Sequence, residues 1–353
     1  IWKQLGTNCR NLPQVHTIVR IMRMICEIVC PGVLLLGEVV MAPEKVVPYF
    51  GTVEKPECHL LYNVTTMAST WHTVATKDVS LLRRQLDIIS ELPRDYVFQN
   101  YLRCHDDIGW GLDYEYLENF GIQEVPHKKY LNDFLTGKYP DSFARGELYN
   151  DDPRLGDARL CGTTASLCGI ERFGFEGNQE GVDRAVRYDI TLHAFMLSQS
   201  GIPVIYSGDE IGQVNDYSYK DDPEKSDDSR YLHRGKFDWK LAENRHDPAT
   251  VQGKLFPVLD KLEHIRSSHG IFNSNVPIHT IDTWDNSILA FVRENDEEKF
   301  IGIYNFSEND KVAWINEEMV CTQILSPDVR WKPKVCRFLH SDAIGCAEIN
   351  NNF

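Results

Sequence analysis

The chain has 353 residues, room for two or three domains of about 150 residues or for one large barrel with a small appendage. Hydrophobic residues make up 42%, enough for a sizeable core and against disorder. The formal net charge of −15 opposes a nucleic-acid partner by like-charge repulsion, and no run of about 18 apolar residues offers a membrane span.

The first periodic element is helical: Val15, Ile18, Met22, Ile25 and Val29 recur at helix spacing before Pro31-Gly32. Val33-Leu34-Leu35-Leu36 then reads as a strand buried on both faces, as in a parallel sheet, ending at Gly37-Glu38. A short strand follows at 59–62, and a helix carries Val79, Leu82, Leu86 and Ile89. The next strand, 96–102, runs into Cys104-His105-Asp106-Asp107. From 108 to about 173 the rhythm breaks into a stretch rich in Asp, Gly, Tyr and Arg, read as an insertion. Helical spacing returns at Val182–Leu197, a strand at 201–206, a long polar loop through Lys236, and a last helix at Val251–Ile265. After Gly270, Ile288–Arg293 and Phe300–Asn305 flank a polar turn and read as a hairpin.

Helix and strand alternate, which predicts parallel strands joined by crossover helices. Glu38, Asp106 and Asp209 fall at strand C-termini, where (β/α) barrels keep their active sites. Four strands are present, and a closed barrel needs eight.

Each polar cluster has a functional and a plain reading. Glu38 at a strand end suits a general acid, or is a solvated terminal carboxylate. His105-Asp106-Asp107 forms a pocket rim or a turn with its own hydrogen bonds, and contiguous residues make a poor metal site. Arg159, in a Gly-flanked loop, suits hydroxyl recognition or a surface ion pair. The acidic run 221–230 lacks calcium-loop spacing and reads as a solvated loop. Tyr62, Trp71, Tyr101, Trp110, Tyr114 and Tyr116 could stack on sugars, although most aromatics fill cores.

Ten cysteines without a CxxC pair read as reduced thiols, which favours the cytoplasm. Asn63-Val64-Thr65 and Asn305-Phe306-Ser307 read as chance matches to a glycosylation acceptor. A first residue of Ile1, with no leader before it, suggests a chain that starts in mid-protein.

Together the segments resemble glycoside hydrolase family 13, the α-amylase superfamily, and within it the amylosucrase and sucrose hydrolase subgroup. The resemblance rests on 33–38, on Asn100-Tyr101-Leu102-Arg103-Cys104-His105-Asp106-Asp107-Ile108-Gly109-Trp110, on Ser142-Phe143-Ala144-Arg145-Gly146, on 201–234 and on the opening Ile1-Trp2-Lys3-Gln4-Leu5-Gly6-Thr7. It implies the C-terminal half of a (β/α)8 TIM barrel (1–107 and 174–269), a loop domain inserted at 108–173 and an all-β sandwich at 270–353. It matches Glu38 to the general acid/base, Asp106 to the transition-state stabiliser and His105 to a contact on the glucosyl ring. Asp107 and Arg159 match the acceptor or fructosyl side. Arg230 matches an arginine that pairs with an aspartate from early in the barrel. Asn150 stands where amylosucrases tend to carry Gln.

The implied reaction is retaining glucosyl transfer from sucrose to an α-glucan oligosaccharide, without a cofactor. The alternatives are sucrose hydrolysis or another α-glucosidase activity, and a non-catalytic carbohydrate-binding paralogue. The nucleophile is expected upstream of Ile1, in a missing N-terminal half that also holds the partner of Arg230. The chain alone is therefore expected to be inactive on sucrose, and poorly soluble or paired as a dimer.

Overall fold

The computed structural model describes residues 1–152, 158–315, 329–333 and 345–349. Four parallel strands lie side by side in chain order: β1 (Leu36–Gly37), β2 (Leu60–Tyr62), β3 (Val97–Asn100) and β6 (Ile202–Pro203). Leu36 pairs with Leu60, Leu61 with Phe98, and Asn100 with Pro203. Gly37 is required at its place, because a Cβ there would stand 2.5 Å from a Leu61 methyl.

Helix α1 (Pro13–Val29) has proline in its first turn and lays Val15 and Val19 on a cluster with Tyr49, Leu61 and Phe98. Only one turn of helix, α2 (Pro43–Val46), and a 3₁₀ turn separate β1 from β2, where the alternation implies a full helix. Two helices, α3 (Val64–Thr76) and α4 (Ser80–Glu91), then join β2 to β3. The first of these is not anticipated by the sequence pattern. Every residue of α3 from Val64 to Ala75 is buried, so it carries no one-sided stripe. Trp71 is fully buried and donates its indole N–H to the Leu102 carbonyl at 2.7 Å, tying α3 to the end of β3.

The segment between β3 and α7 holds α5 (Tyr114–Glu118), α6 (Glu124–Leu135) and an antiparallel pair, β4 (Glu147–Tyr149) with β5 (Arg159–Cys161). A bridge from Ile108 to Leu160 returns it to the segment after β3. Helices α7 (Thr164–Cys168), α8 (Ile170–Phe175) and α9 (Gln179–Ser198) lead to β6. Asn178 caps α9 by accepting from the Gly181 amide. Gly201 turns the chain into β6 at φ +115°, a region that favours glycine. Beyond the polar loop, α10 (Trp239–Ala242) and α11 (Val251–Ser268) precede two antiparallel sheets. One has β8 (Ile288–Glu294) between β7 (His279–Ile281) and β9 (Lys299–Asn305). In the other, β12 (Gly345–Ile349) lies between β10 (Lys311–Ile315) and β11 (Val329–Pro333).

Two expectations need correction. The 33–36 run is not a strand buried on both faces: Val33, Leu34 and Leu36 are exposed. Strand β1 is at the sheet edge, and among the described residues β1 and β6 each have one neighbour only. The outer part of α1 is likewise open, with Ile21, Met22, Met24, Ile25, Ile28 and Val29 exposed. Of the cysteines, Cys9, Cys26, Cys30, Cys58, Cys104, Cys161 and Cys168 are free thiols, while Cys321 and Cys336 lie outside the described residues. Asn63 and Asn305 are buried, which agrees with chance glycosylation matches. No described helix is long and apolar enough to cross a membrane.

Candidate active site

Parallel strands in register deliver their following residues to one edge of the sheet. Glu38 follows β1, Tyr62 closes β2, and His105, Asp106 and Asp107 come a few residues after β3. Glu38, His105 and Asp106 converge: one donor atom from each lies within 4.8 Å of the others. Glu38 and His105 are exposed and Asp106 is half-buried. Adjacent His105 and Asp106 do reach a common point, against the expectation from their contiguity.

Asp106 is held by a strong network. Its Oδ1 accepts from Arg230 Nη1 at 2.9 Å and from the Asp107 amide at 3.0 Å. Burial works to raise its pKa. The Arg230 hydrogen bond and the Asp107 contacts outweigh burial and hold the carboxyl below its ordinary value. Arg230 in turn is gripped by Asp228, whose two oxygens accept from Nε and Nη2 at 2.9 Å each, and stacks over the Tyr149 ring at 4.5 Å. Donating to Asp228 and Asp106 raises the Arg230 pKa further. Within this chain, Arg230 is thus paired by two carboxylates, Asp228 and Asp106. A cation held by Glu38, His105 and Asp106 would compete with Arg230, which already neutralises Asp106.

Asp107 differs from its neighbour. Its Oδ2 meets Arg159 Nη1 at a loose 3.4 Å, and its Oδ1 is buried with no hydrogen-bond partner among the described residues. Burial, opposed by Arg159 and aided by the Asp106 charge, pushes its pKa up to about 6. Two successive aspartates are therefore driven in opposite directions, one below and one above the ordinary carboxylate value. Burial also raises the Cys104 thiol to about 11. That thiol accepts from the Asp106 amide at 3.4 Å and is no nucleophile at neutral pH.

Beneath this edge is a buried ion pair. Arg103 directs Nε and Nη2 to Asp209 Oδ1 at 2.8 Å each, and Nη1 to the His233 carbonyl at 3.0 Å. Thr164 donates to Asp209 Oδ2 at 2.9 Å. Asp209, which sequence position puts with the strand-end carboxylates, is fully enclosed and serves the scaffold. Burial drives the His233 pKa down to about 3, and the neutral ring accepts from the Gly162 amide at 3.0 Å.

Asp228, Tyr149 and Arg234 join the site without a motif to mark them. Asp228 lies within the run read as a solvated loop, and Arg234 donates to the His105 carbonyl. The only signal for Asp228 is its place two residues before Arg230. Among the aromatics, Trp71, Tyr101 and Trp110 are core, while Tyr62 is half-buried at the β2 end, edge-on to Tyr101.

No protein-family model matches the chain. Glucosylglycerate phosphorylase of Escherichia coli (strain K12) is 26% identical over 311 residues, which are 88% of this chain and 52% of that protein. A second glucosylglycerate phosphorylase, from Spirochaeta thermophila, is 28% identical over 273 residues, 76% of this chain and 42% of that one. Trehalose synthase of Thermus thermophilus is 27% identical over 214 residues, 60% of this chain and 18% of that one. The chain spans about half the length of the first of these relatives. Among solved structures, sucrose 6F-phosphate phosphorylase from Thermoanaerobacter thermosaccharolyticum superposes with a TM-score of 0.60 at 18% identity, covering 90% of this chain and 55% of that one. An α-amylase from H.orenii gives 0.52 at 15%, with 96% and 55% covered.

The fold is similar to about half of each of these solved structures. The curated relatives are named for glucosyl phosphorolysis and trehalose synthesis, and together with the solved structures they support a likeness to the α-amylase superfamily.

Proposed function

We propose that this chain forms the strand 5–8 half of a retaining α-glucosyl-transferring enzyme, with Glu38 as acid/base and Asp106 as stabiliser of the reacting glucosyl unit. The convergence of Glu38, His105 and Asp106 within 4.8 Å carries the reading, since two carboxylates and an imidazole then face one hexose. An inverting pair would need roughly 6.5–9.5 Å between carboxyl groups to admit water. Glu38 donates its proton to the departing glycosidic oxygen while a nucleophilic carboxylate attacks the anomeric carbon. Asp106, kept ionised by Arg230, accepts hydrogen bonds from sugar hydroxyls and favours the oxocarbenium-like state. The glucosyl-enzyme then passes its sugar to an acceptor. The nucleophile belongs to polypeptide beyond this sequence. The exposed apolar side of α1 and the open edges of β1 and β6 support pairing with that polypeptide.

The donor in this reading is a glucoside with a small leaving group, sucrose or glucosylglycerate. Resemblance to amylosucrases speaks for an α-glucan acceptor. A second reading, phosphorolysis, is favoured by the relatives named glucosylglycerate phosphorylase, and Arg159, only loosely paired and 43% exposed, suits an anion. Product analysis decides between them. The intact protein is incubated with sucrose or glucosylglycerate, with and without inorganic phosphate, and glucan, glucose and glucose 1-phosphate are measured. Glucosyl transfer of any of these kinds, lost in Glu38→Gln, upholds the core proposal. An intact protein that binds these sugars without turning them over would support a carbohydrate-binding paralogue instead.

A further inference from the structure

The chain is acidic overall, yet one groove that shares no residue with the strand-end cluster is basic. It lies where the end of α3, α8, α9 and the segment after β9 meet, and encloses about 300 Å³, near the small end of ligand sites. Its charged lining is Lys77, Arg172, Arg184 and Arg187 against Asp141 and Glu308. Lys77 follows α3 in the left-handed conformation, φ 60°. Its Nζ sits 4.9 Å from the Phe143 ring centre, 5.0 Å from Tyr188 and 5.8 Å from Phe134.

That ammonium is shut off from solvent and has no hydrogen-bond acceptor among the described residues; the exposed Glu308 carboxylate stands 3.9 Å away. Ring faces attract the charge but do not satisfy its three N–H donors. An ammonium left so costs free energy until an acceptor arrives. Burial accordingly pulls the Lys77 pKa down to about 8, which still leaves it mostly charged at neutral pH. Arg184, from α9, lies 5.8 Å over the Phe173 ring on the same wall.

We propose that this groove binds a small phosphate ester. Its phosphate oxygens accept from Arg184 and from Lys77 Nζ once that side chain turns out of its ring cage, and its organic part rests on Phe143, Phe173 and Tyr188. Nothing in this depends on the glucosyl-transfer reading.

Isothermal titration of the intact protein with glycerol 3-phosphate and with inorganic phosphate tests it, with glycerol and chloride at equal ionic strength as controls. Both phosphates should bind, and the ester more tightly. Lys77→Met should weaken binding by roughly tenfold or more, the worth of a charge-assisted hydrogen bond. Arg184→Gln, on an exposed side chain, should also weaken it and decides the matter if Lys77→Met does not fold. No binding above the controls, or unchanged affinity in both variants, overturns the proposal. So does binding that survives both variants and is lost in Arg159→Gln, because it places the phosphate at the strand ends.

Discussion

Asp106 and Arg230 are 124 positions apart in the chain and joined at 2.9 Å. The contact joins the end of β3 to the polar loop beyond β6, and it fixes the charge of the carboxylate proposed to face the sugar. Removing the guanidinium frees Asp106 and raises its pKa. Arg230→Gln should lower kcat/KM of the intact enzyme by roughly 10²–10³-fold, the cost of a lost preorganised charge contact. The acid limb of the pH–rate profile should move to higher pH. An unmoved limb would show that Asp106 does not depend on Arg230.

Asp107 gives a pH signature of opposite sign. Its folded pKa of about 6 lies above the ordinary 3.8, so the folded state holds the proton more tightly. Its contribution is complete below about 3.8 and is lost as pH rises through 6. Urea unfolding between pH 4 and pH 7 should show stability falling with pH from this group, and Asp107→Asn should flatten that slope. Asp106 acts the other way, because its lowered pKa favours the fold above 3.8 and loses that as pH falls.

The Arg103–Asp209 pair is almost fully enclosed, so breaking it leaves a charge without a partner. Asp209→Ala should cost about 3–5 kcal/mol in denaturant unfolding. Replacing both residues by apolar ones of similar size should recover much of the loss. If the single variant unfolds like wild type, the pair does not anchor the strand ends.

Gly201 positions β6 against β3. A Cβ there would stand 2.2 Å from the Phe98 carbonyl oxygen, at a φ of +115°. Gly201→Val should cost about 2–4 kcal/mol from strain and overpacking. Unfolding midpoints of the two proteins measure it.

The parts of the fold that present one apolar stripe were open to a reading of the sequence, as in α1, α4, α9 and α11, and the β8–β9 hairpin was legible from the polar turn between its two apolar runs. Helix α3 does not, because burial on all sides lets threonines and serine stand where polar residues usually mark a surface; Thr70 and Thr73 bond back to carbonyls one turn earlier. In the site, Glu38 and His105-Asp106 were legible because a strand end places a residue by topology alone. Asp228 and Tyr149 were not, since they meet Arg230 through a loop and an insertion whose paths no periodicity records. Asp209 was legible as a strand-end acid, but its burial depends on Arg103 and Thr164, distant in sequence.

If Glu38 and Asp106 address the same glucose unit, a crystal structure of the intact Glu38→Gln protein with its α-glucoside donor will show it. One glucosyl ring is expected with Asp106 on its hydroxyls, His105 beside it and residue 38 against the glycosidic oxygen. A sugar seated away from these strand tips, or touching only one of the two positions, would contradict it.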